Sequence, residues 1–459
     1  MTPGDSDLWF LPLGGTGEIG MNLNLYGHAG QWLMVDCGVT FAKEGEPGPH
    51  VQMADPAFIS QRRDQLVGLL VTHAHEDHVG AVAHLWPELE CPVITSRFTA
   101  EILRRKLAEK GLAGRVPIRI VDDGDRFDVG PFDVEWLRLT HSIPEAHALV
   151  LRTPAGRILH TGDWKLDFDP VVGAPVAPDR FRALAVEGMD AMVCDSTNAT
   201  VAGHSTSEGD LYAGLAGAVV GATGRVVVTS FGSNIARLHT LARVAAATGR
   251  YMGVLGRSLR NMVAAARVAE LWHPVRDVIE ARELGYLPRT EVLAVATGSQ
   301  GDPGAALDRL SRGNQADMEL EAGDLVLFSS RVIPGNERSL EALTRRLEAR
   351  GIGIFTADQG LIHATGHPCQ DELRTMYGWV RPRIAIPVHG EPKHLSVHAG
   401  LAREAGVPVQ LQGRNGDLFM IGPVAGLRPR QVATGRVGVG ASGLEKLSAP
   451  TDANREVSR

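Results

Sequence analysis

The chain has 459 residues, of which 44% are hydrophobic and 22% charged, and its formal net charge is −7. That length suffices for two or three domains, and the composition is ordinary for a folded globular protein. The negative balance excludes an overall basic footprint for coating nucleic acid, though it leaves room for a local basic channel.

No apolar run reaches membrane-spanning length, and Met1–Asp7 has neither a basic n-region nor an apolar h-region, so a cytoplasmic protein with no membrane partner is expected. Cys37, Cys91, Cys194 and Cys369 are scattered without a C-x-x-C pair, which reads as buried free thiols rather than disulfides or a thiolate metal site. Between Lys165 and Lys393 every cationic side chain is Arg. Arg forks suit phosphate, but a GC-rich coding bias is the simpler reading.

In chain order, Leu33-Met34-Val35-Asp36 is a strand that closes on a carboxylate, and Val67-Gly68-Leu69-Leu70-Val71 predicts a buried strand. Directly after the second comes Thr72-His73-Ala74-His75-Glu76-Asp77-His78-Val79-Gly80. Ligands on a loop leaving a strand end are held in place by the rigid sheet. Imidazoles interleaved with a carboxylate suit zinc or another cation that accepts mixed N/O ligands. The spacing lets His73 and His75 reach one metal while Asp77 and His78 turn toward a second, so this segment reads as half of a two-metal centre. A solvated loop with coincidental histidines is the bland alternative, and a multi-ligand cluster at a strand end outweighs it.

Phe132–Trp136 alternates as a strand and continues to Thr140-His141-Ser142-Ile143-Pro144-Glu145. His147–Thr153, a Pro154-Ala155-Gly156 turn and Arg157–Thr161 read as a hairpin ending in Thr161-Gly162-Asp163. A different rhythm follows from about residue 206 to 360. It has strands at Arg225–Ser230, Tyr251–Leu255, Val292–Thr297 and Leu325–Ser330, and helices at Asn234–Thr248, from about Ser258, and at Glu337–Arg350. This βαβα pattern predicts a parallel sheet covered by helices. Ile384–Val388 then leads into His389-Gly390-Glu391. His141, Asp163 and His389 therefore occupy the same kind of strand-end position as the first cluster, and one carboxylate between two cations suits Asp163. His28, His50 and His84 read as surface histidines without a role.

With these residues in view, the sequence resembles the metallo-β-lactamase superfamily of binuclear metallohydrolases. Asp195 in Cys194-Asp195-Ser196-Thr197-Asn198, His367 in Ala364-Thr365-Gly366-His367, and His389 look like the A, B and C motifs of the β-CASP nucleases. The finer match is to bacterial ribonuclease J, through Pro12–Gly20, His141–Pro144, Thr161–Asp163, Ser230–Asn234, Thr297–Gly301 and Ile333–Glu337. The resemblance runs from about residue 8 to about residue 425.

The resemblance implies an α/β protein, a metallo-β-lactamase αββα sandwich with an inserted α/β β-CASP domain. The expected parts are residues 1–205 (first part of the sandwich), 206–360 (insert), 361–430 (return segment) and 431–459 (disordered tail). The small C-terminal domain typical of the family is not expected after about residue 430, which leaves homodimer and homotetramer open. Two zinc ions are expected: His73, His75 and His141 on the first, Asp77, His78 and His389 on the second, and Asp163 bridging. Manganese or magnesium would also fit such ligands. Asp36 and Asp195 would orient imidazoles by accepting their other ring N–H. Reaction chemistry is assigned to Asp77, Asp195 and His367, the last acting on the scissile phosphate or the leaving oxygen. Ser233, Asn234, His363, Thr365 and Gly366, with His367, would hold a substrate phosphate.

The expected activity is hydrolysis of single-stranded RNA in RNA processing and decay. It is 5′-to-3′ exonucleolytic from 5′-monophosphate ends, with endonuclease activity alongside and association with other RNA-decay proteins. The alternatives are a DNA- or tRNA-directed phosphodiesterase, a small-molecule hydrolase of the glyoxalase II kind, and a non-catalytic RNA-binding or scaffold subunit. The first is disfavoured by the ribonuclease J type of the three motifs, the second by the insert, and the third because every ligand position is filled.

Overall fold

A computed structural model describes residues 1–42, 48–333, 335–441 and 443–447. Pro334 of the Ile333–Glu337 block and residues 448–459 of the expected tail lie outside the described residues. Two sheets form the larger body. An eight-stranded sheet runs in the order Gly426–Arg428, Leu418–Gly422, Leu8–Gly14, Leu23–His28, Gln31–Val35, Leu66–Val71, Val93–Thr95, Ile118–Ile120. A seven-stranded sheet runs Val409–Gln410, Ile384–Val388, Ala191–Asp195, Gly156–His160, His147–Thr153, Phe132–Arg138, Arg126–Val129.

Phe10, Tyr26, Val35 and Leu70 of the first sheet share one core with Trp136, Leu149, Val193 and Ile386 of the second, so the sheets pack face to face. The alternation along each strand sends the next residues outward. Leu25, Met34 and Leu69 meet the helices Val82–Leu89 and Arg97–Glu109. Val150, Leu159 and Met192 meet Pro178–Glu187, Gln370–Val380 and Pro392–Glu404. The result is the expected αββα sandwich.

Every strand of the five-stranded sheet lies between residues 206 and 360, in the order Tyr251–Leu255, Val292–Ala296, Val226–Thr229, Leu325–Phe328, Gly353–Thr356, and all its pairings are parallel. Val226, Val228 and Val295 pack under the helices Leu211–Val220 and Ile235–Ala247. Val227, Ala294 and Val326 pack under Ala306–Arg312 and Glu337–Ala349. Ala74, Phe98, Ile102 and Ile143 of the sandwich join the first of these cores, so the two bodies share an apolar seam. Among the described residues no helix is long and apolar enough to cross a membrane.

Both chain crossings between sandwich and insert converge on one buried carboxylate. Glu372 accepts hydrogen bonds from Leu166 N (2.8 Å), Ser205 N (2.8 Å), Ser205 Oγ (2.8 Å) and Cys369 N (2.9 Å). Removing it strands several buried donors at once, so Glu372→Ala is expected to cost about 2–4 kcal/mol. Urea unfolding checks this: the first transition should move to lower denaturant, and an unchanged midpoint would rule the role out.

Two sequence expectations are corrected. Residues 436–441 and 443–447 are not a disordered tail: Arg436–Gly440 and Gly443–Leu447 form a hairpin. Arg436, Val437 and Gly438 pair with Ala54, Met53 and Gln52, and Val437 is buried. A glycine-rich strand whose partner lies so far away in sequence carries no local signature. His28 is buried rather than on the surface, donating from Nδ1 to the Asp7 carbonyl at 2.8 Å and packing edge-on against Phe132. The four cysteines are free and buried, as expected.

Candidate metal centre

The site lies at the carboxyl edges of both sheets. Gln31–Val35 and Leu66–Val71 run parallel, so Asp36 and the Thr72–His78 segment leave the first sheet side by side. Gly156–His160, Ala191–Asp195 and Ile384–Val388 are parallel neighbours, which brings Asp163, Asp195 and His389 to the facing edge. Two of these residues have left-handed backbone, Asp36 at φ 63° and His389 at φ 50°. For a residue other than glycine such a conformation is strained and needs surrounding contacts to hold it. Asp36 is held by accepting from Thr72 N at 2.8 Å, and His389 by donating its N–H to the Gly15 carbonyl at 2.7 Å.

The side chains form two sets, with a third grouping of Asp163, Asp195, His367 and His389 that overlaps the second. Ligand atoms of His73, His75 and His141 lie within 4.8 Å of one another, and so do those of Asp77, His78, Asp163 and His389. Asp163 Oδ2 sits between the sets. It is 3.2 Å from His78 Nε2 and 3.4 Å from His389 Nε2, and 4.0 Å from His73 Nε2 and 3.9 Å from His141 Nε2.

Each imidazole commits its outer nitrogen elsewhere. His73 Nδ1 donates to Thr72 Oγ1 (3.0 Å), His78 Nδ1 to Asp36 Oδ2 (2.8 Å), His141 Nδ1 to the Gly366 carbonyl (2.5 Å) and His389 Nδ1 to Asn22 Oδ1 (3.1 Å), while His75 Nε2 is hydrogen-bonded to Ser233 Oγ (3.0 Å). With those N–H groups outward, the inner nitrogens present lone pairs to one another, His75 Nδ1 at 3.1 Å from His73 Nε2 and 3.0 Å from His141 Nε2. Such a face is complete only around a proton or a cation. The donor set therefore fits divalent metal, which the superfamily binds.

Burial, followed by the neighbouring imidazoles, pulls His73 and His141 well below the ordinary histidine range. Burial likewise brings His75 down to about 4, against Asp77 and Asp163. His78 goes the other way: Asp163, Asp77 and Asp36 override its burial and push it well up. Burial would raise Asp163, but His389 and His78 hold it well below the usual carboxylate range. His367 shifts the same way as His78. Asp195, with Asp163 and Asp77 behind it, overcomes burial and pushes it up to about 9.

Asp36 touches His78, whereas Asp195 serves His367 rather than an imidazole of either ligand set: His367 Nδ1 donates to Asp195 Oδ2 at 2.8 Å. Asp195 Oδ1 in turn accepts from Thr197 N and Oγ1, each at 2.8 Å.

The residues expected to hold phosphate divide differently. Ser233 and the Gly366 carbonyl are partners of His75 and His141. A Cβ on Gly366 would stand 2.6 Å from the His141 ring, so glycine is required there. Thr365 Oγ1 accepts from Asn198 Nδ2 at 2.8 Å. Asn234 caps its helix by accepting from Arg237 N (2.8 Å) and donates to Glu208 Oε1 (2.9 Å), so both ends of its amide are engaged within the protein. His363 remains uncommitted, with a buried Nδ1 lacking a partner among the described residues, as does the hydroxyl of Ser230, which sequence reasoning passed over.

Asn22 was also missed. Its amide donates to the Asp77 carbonyl at 3.0 Å and its Oδ1 accepts from His389, joining the two ends of the second set.

Comparison with known proteins agrees with this architecture. Residues 20–186 match the model of the metallo-beta-lactamase superfamily, 223–347 that of the ribonuclease J beta-CASP domain, and 361–412 that of the Zn-dependent metallo-hydrolase RNA specificity domain. Among curated proteins, ribonuclease J of Sinorhizobium meliloti is 45% identical over 423 residues, covering 91% of this chain and 75% of the relative. Ribonuclease J of Mycolicibacterium smegmatis is 39% identical over 400 residues, 86% of this chain and 71% of the relative. A crystal structure of a protein of unknown function from Enterococcus faecalis V583 superposes with a TM-score of 0.63 at 15% identity, over 90% of this chain and 100% of that one, a likeness of fold alone.

Proposed function

The chain belongs to the ribonuclease J family, and from that premise we propose that it is a binuclear, zinc-dependent ribonuclease acting on single-stranded RNA. It trims from 5′-monophosphate ends in the 5′-to-3′ direction and also cuts internally. The observation that carries the reading is the position of Asp163 Oδ2 between two ligand sets whose imidazoles all turn their outer nitrogens to other partners. His73, His75 and His141 would hold one ion, Asp77, His78 and His389 the other, with Asp163 bridging. Asp36, Asp77, Asp163 and Asp195 supply four negative charges at or next to the site, the charge that two divalent cations neutralise.

Two such cations would stabilise the charge that develops on the oxygens of a phosphoryl displacement and would make a water easier to ionise. The chain's own residues do the rest. Asp195 holds His367 with Nδ1–H outward and so aims Nε2 into the cleft, where its proton passes to the leaving oxygen as the P–O bond breaks. Ser230 Oγ and His363 Nδ1 are both buried without a partner among the described residues; the Ser230 hydroxyl can donate to a substrate oxyanion, and His363 Nδ1 can do so when it carries the ring's proton.

The test is degradation of one end-labelled single-stranded RNA bearing a 5′-monophosphate, a 5′-triphosphate or a 5′-hydroxyl, with His75→Ala as control. Rapid release of mononucleotides from the monophosphate substrate, lost in the variant, is expected. Internal fragments regardless of the 5′ end would overturn the end-directed part. No cleavage with zinc, manganese or magnesium would overturn the enzyme.

A further inference from the structure

Arg237 is 1% exposed and lies outside both ligand sets, in the helix that leaves the Ser230–Asn234 loop. Its guanidinium is fully engaged. Nε and Nη2 donate to the two oxygens of Glu208 at 3.1 and 2.9 Å. Nη1 donates to the Ser329 carbonyl at 2.9 Å and the Ile362 carbonyl at 3.2 Å, and also to Ser329 Oγ. Ser329 Oγ in turn donates to the Ile362 carbonyl at 2.5 Å. Glu208 accepts from Asn234 Nδ2, and through its own N–H it reaches Asp167, which pairs with the buried Lys165 at 3.0 Å.

Several chain segments are thus tied to one planar cation: the end of the strand Leu325–Phe328 through Ser329 and the return segment through Ile362 directly, and the 230–234 loop through the Asn234–Glu208 hydrogen bond. His363 follows Ile362 directly, and Ser233 precedes Asn234. A buried guanidinium that donates to Glu208, Ser329 and Ile362 resists displacement, because any shift leaves one of those acceptors unpaired where water cannot reach it. Its fixed fork also sets distances that a lysine ammonium cannot reproduce.

We infer that Arg237 is a positioning residue that fixes the spacing between the Ser230–Asn234 loop and the His363–His367 segment, and thereby sets discrimination of the substrate's 5′ end. This rests on the proposed reading of those two segments as the walls of a phosphate pocket. Arg237 acts through them and touches no reacting atom.

Arg237→Lys keeps the charge opposite Glu208 but cannot also span Ser329 and Ile362. Its kcat and KM would be compared with wild type on 5′-monophosphate RNA, on 5′-hydroxyl RNA and on bis(p-nitrophenyl) phosphate, a small diester that needs only the metal centre. Loss of an ångström of positioning costs up to about 100-fold. The monophosphate-to-hydroxyl ratio of kcat/KM is therefore expected to fall by at least about tenfold, mainly through KM, while the small diester changes by less than about threefold. Ser329→Ala removes one acceptor and leaves the ion pair intact. It should shift the ratio the same way by less, and it carries the test if the lysine variant fails to fold. An unchanged ratio in both variants, against a clear wild-type preference, overturns the positioning role alone. Equal loss on all three substrates overturns it as well, leaving Arg237 a general stabiliser. A wild type with no end preference overturns the pocket reading, and the inference falls with it.

Discussion

Asp163→Asn is expected to abolish both metal retention and RNA cleavage while leaving the fold intact. The substitution keeps the shape of the side chain and removes only its charge. That charge faces five imidazole nitrogens at 3.2 to 4.0 Å, in a site where Asp163 itself is 3% exposed. At an effective dielectric of ~20, a carboxylate about 4 Å away contributes about 4 kcal/mol for each unit of cation charge, enough for a ~10³-fold fall in affinity. Because the atom is shared between the two sets, both ions should be affected. Metal content after dialysis, measured by atomic emission, should fall below one ion per chain, and cleavage should drop by about 10³-fold or more. Adding metal should raise the melting temperature of the wild type and not that of the variant, since only a folded state that binds the ion gains from it. A variant that keeps two ions and a tenth of wild-type activity would show that Asp163 does not bridge.

The parts of the site written in local sequence were legible, and the parts made by tertiary approach were not. The apolar run ending at Val71 and the ligands that follow it specify a strand and its loop without outside help. His141, Asp163, Asp195 and His389 could be found because each closes a strand of its own. Asn22 had no such marker: it stands between two apolar residues, and only the long-range approach of the Ile384–Val388 strand end turns it toward His389. Ser233 and Gly366 were expected to face a phosphate, because Gly/Ser loops at strand ends commonly bind anions. In the folded chain Ser233 Oγ and the Gly366 carbonyl also partner the outer nitrogens of His75 and His141. Asn234 looked like a binding residue and is a helix cap, because the buried Glu208 and Arg237 claim both ends of its amide. The hairpin at Arg436–Leu447 escaped notice for the same reason as Asn22: its partner strand at Val51–Ala54 is distant in sequence.

His367→Gln should separate reaction chemistry from metal binding. His367 lies beside both sets, its ring centroid 4.9 Å from that of His141 and 5.9 Å from that of His389, and its Nδ1 donates to Asp195 at 2.8 Å. Its Nδ1 also lies 3.8 Å from Asp163 Oδ2, but its side chain is 22% exposed, whereas those of His73 and His141 are fully buried, so it is placed to meet a substrate entering the cleft. A proton donor in that position is worth typically about 10²–10⁴-fold. The variant is therefore expected to lose turnover on RNA by about that factor, with both ions retained and KM changed only a few-fold. Asp195→Asn should act in the same direction, because an amide no longer fixes the ring or supports its positive charge. If the two residues work as a unit, the double variant should be scarcely worse than His367→Gln alone. Loss of an ion from either single variant would sink this assignment. It would mean that the grouping of Asp163, Asp195, His367 and His389 within 4.8 Å is itself a ligand set, and that His367 binds metal instead of donating the proton.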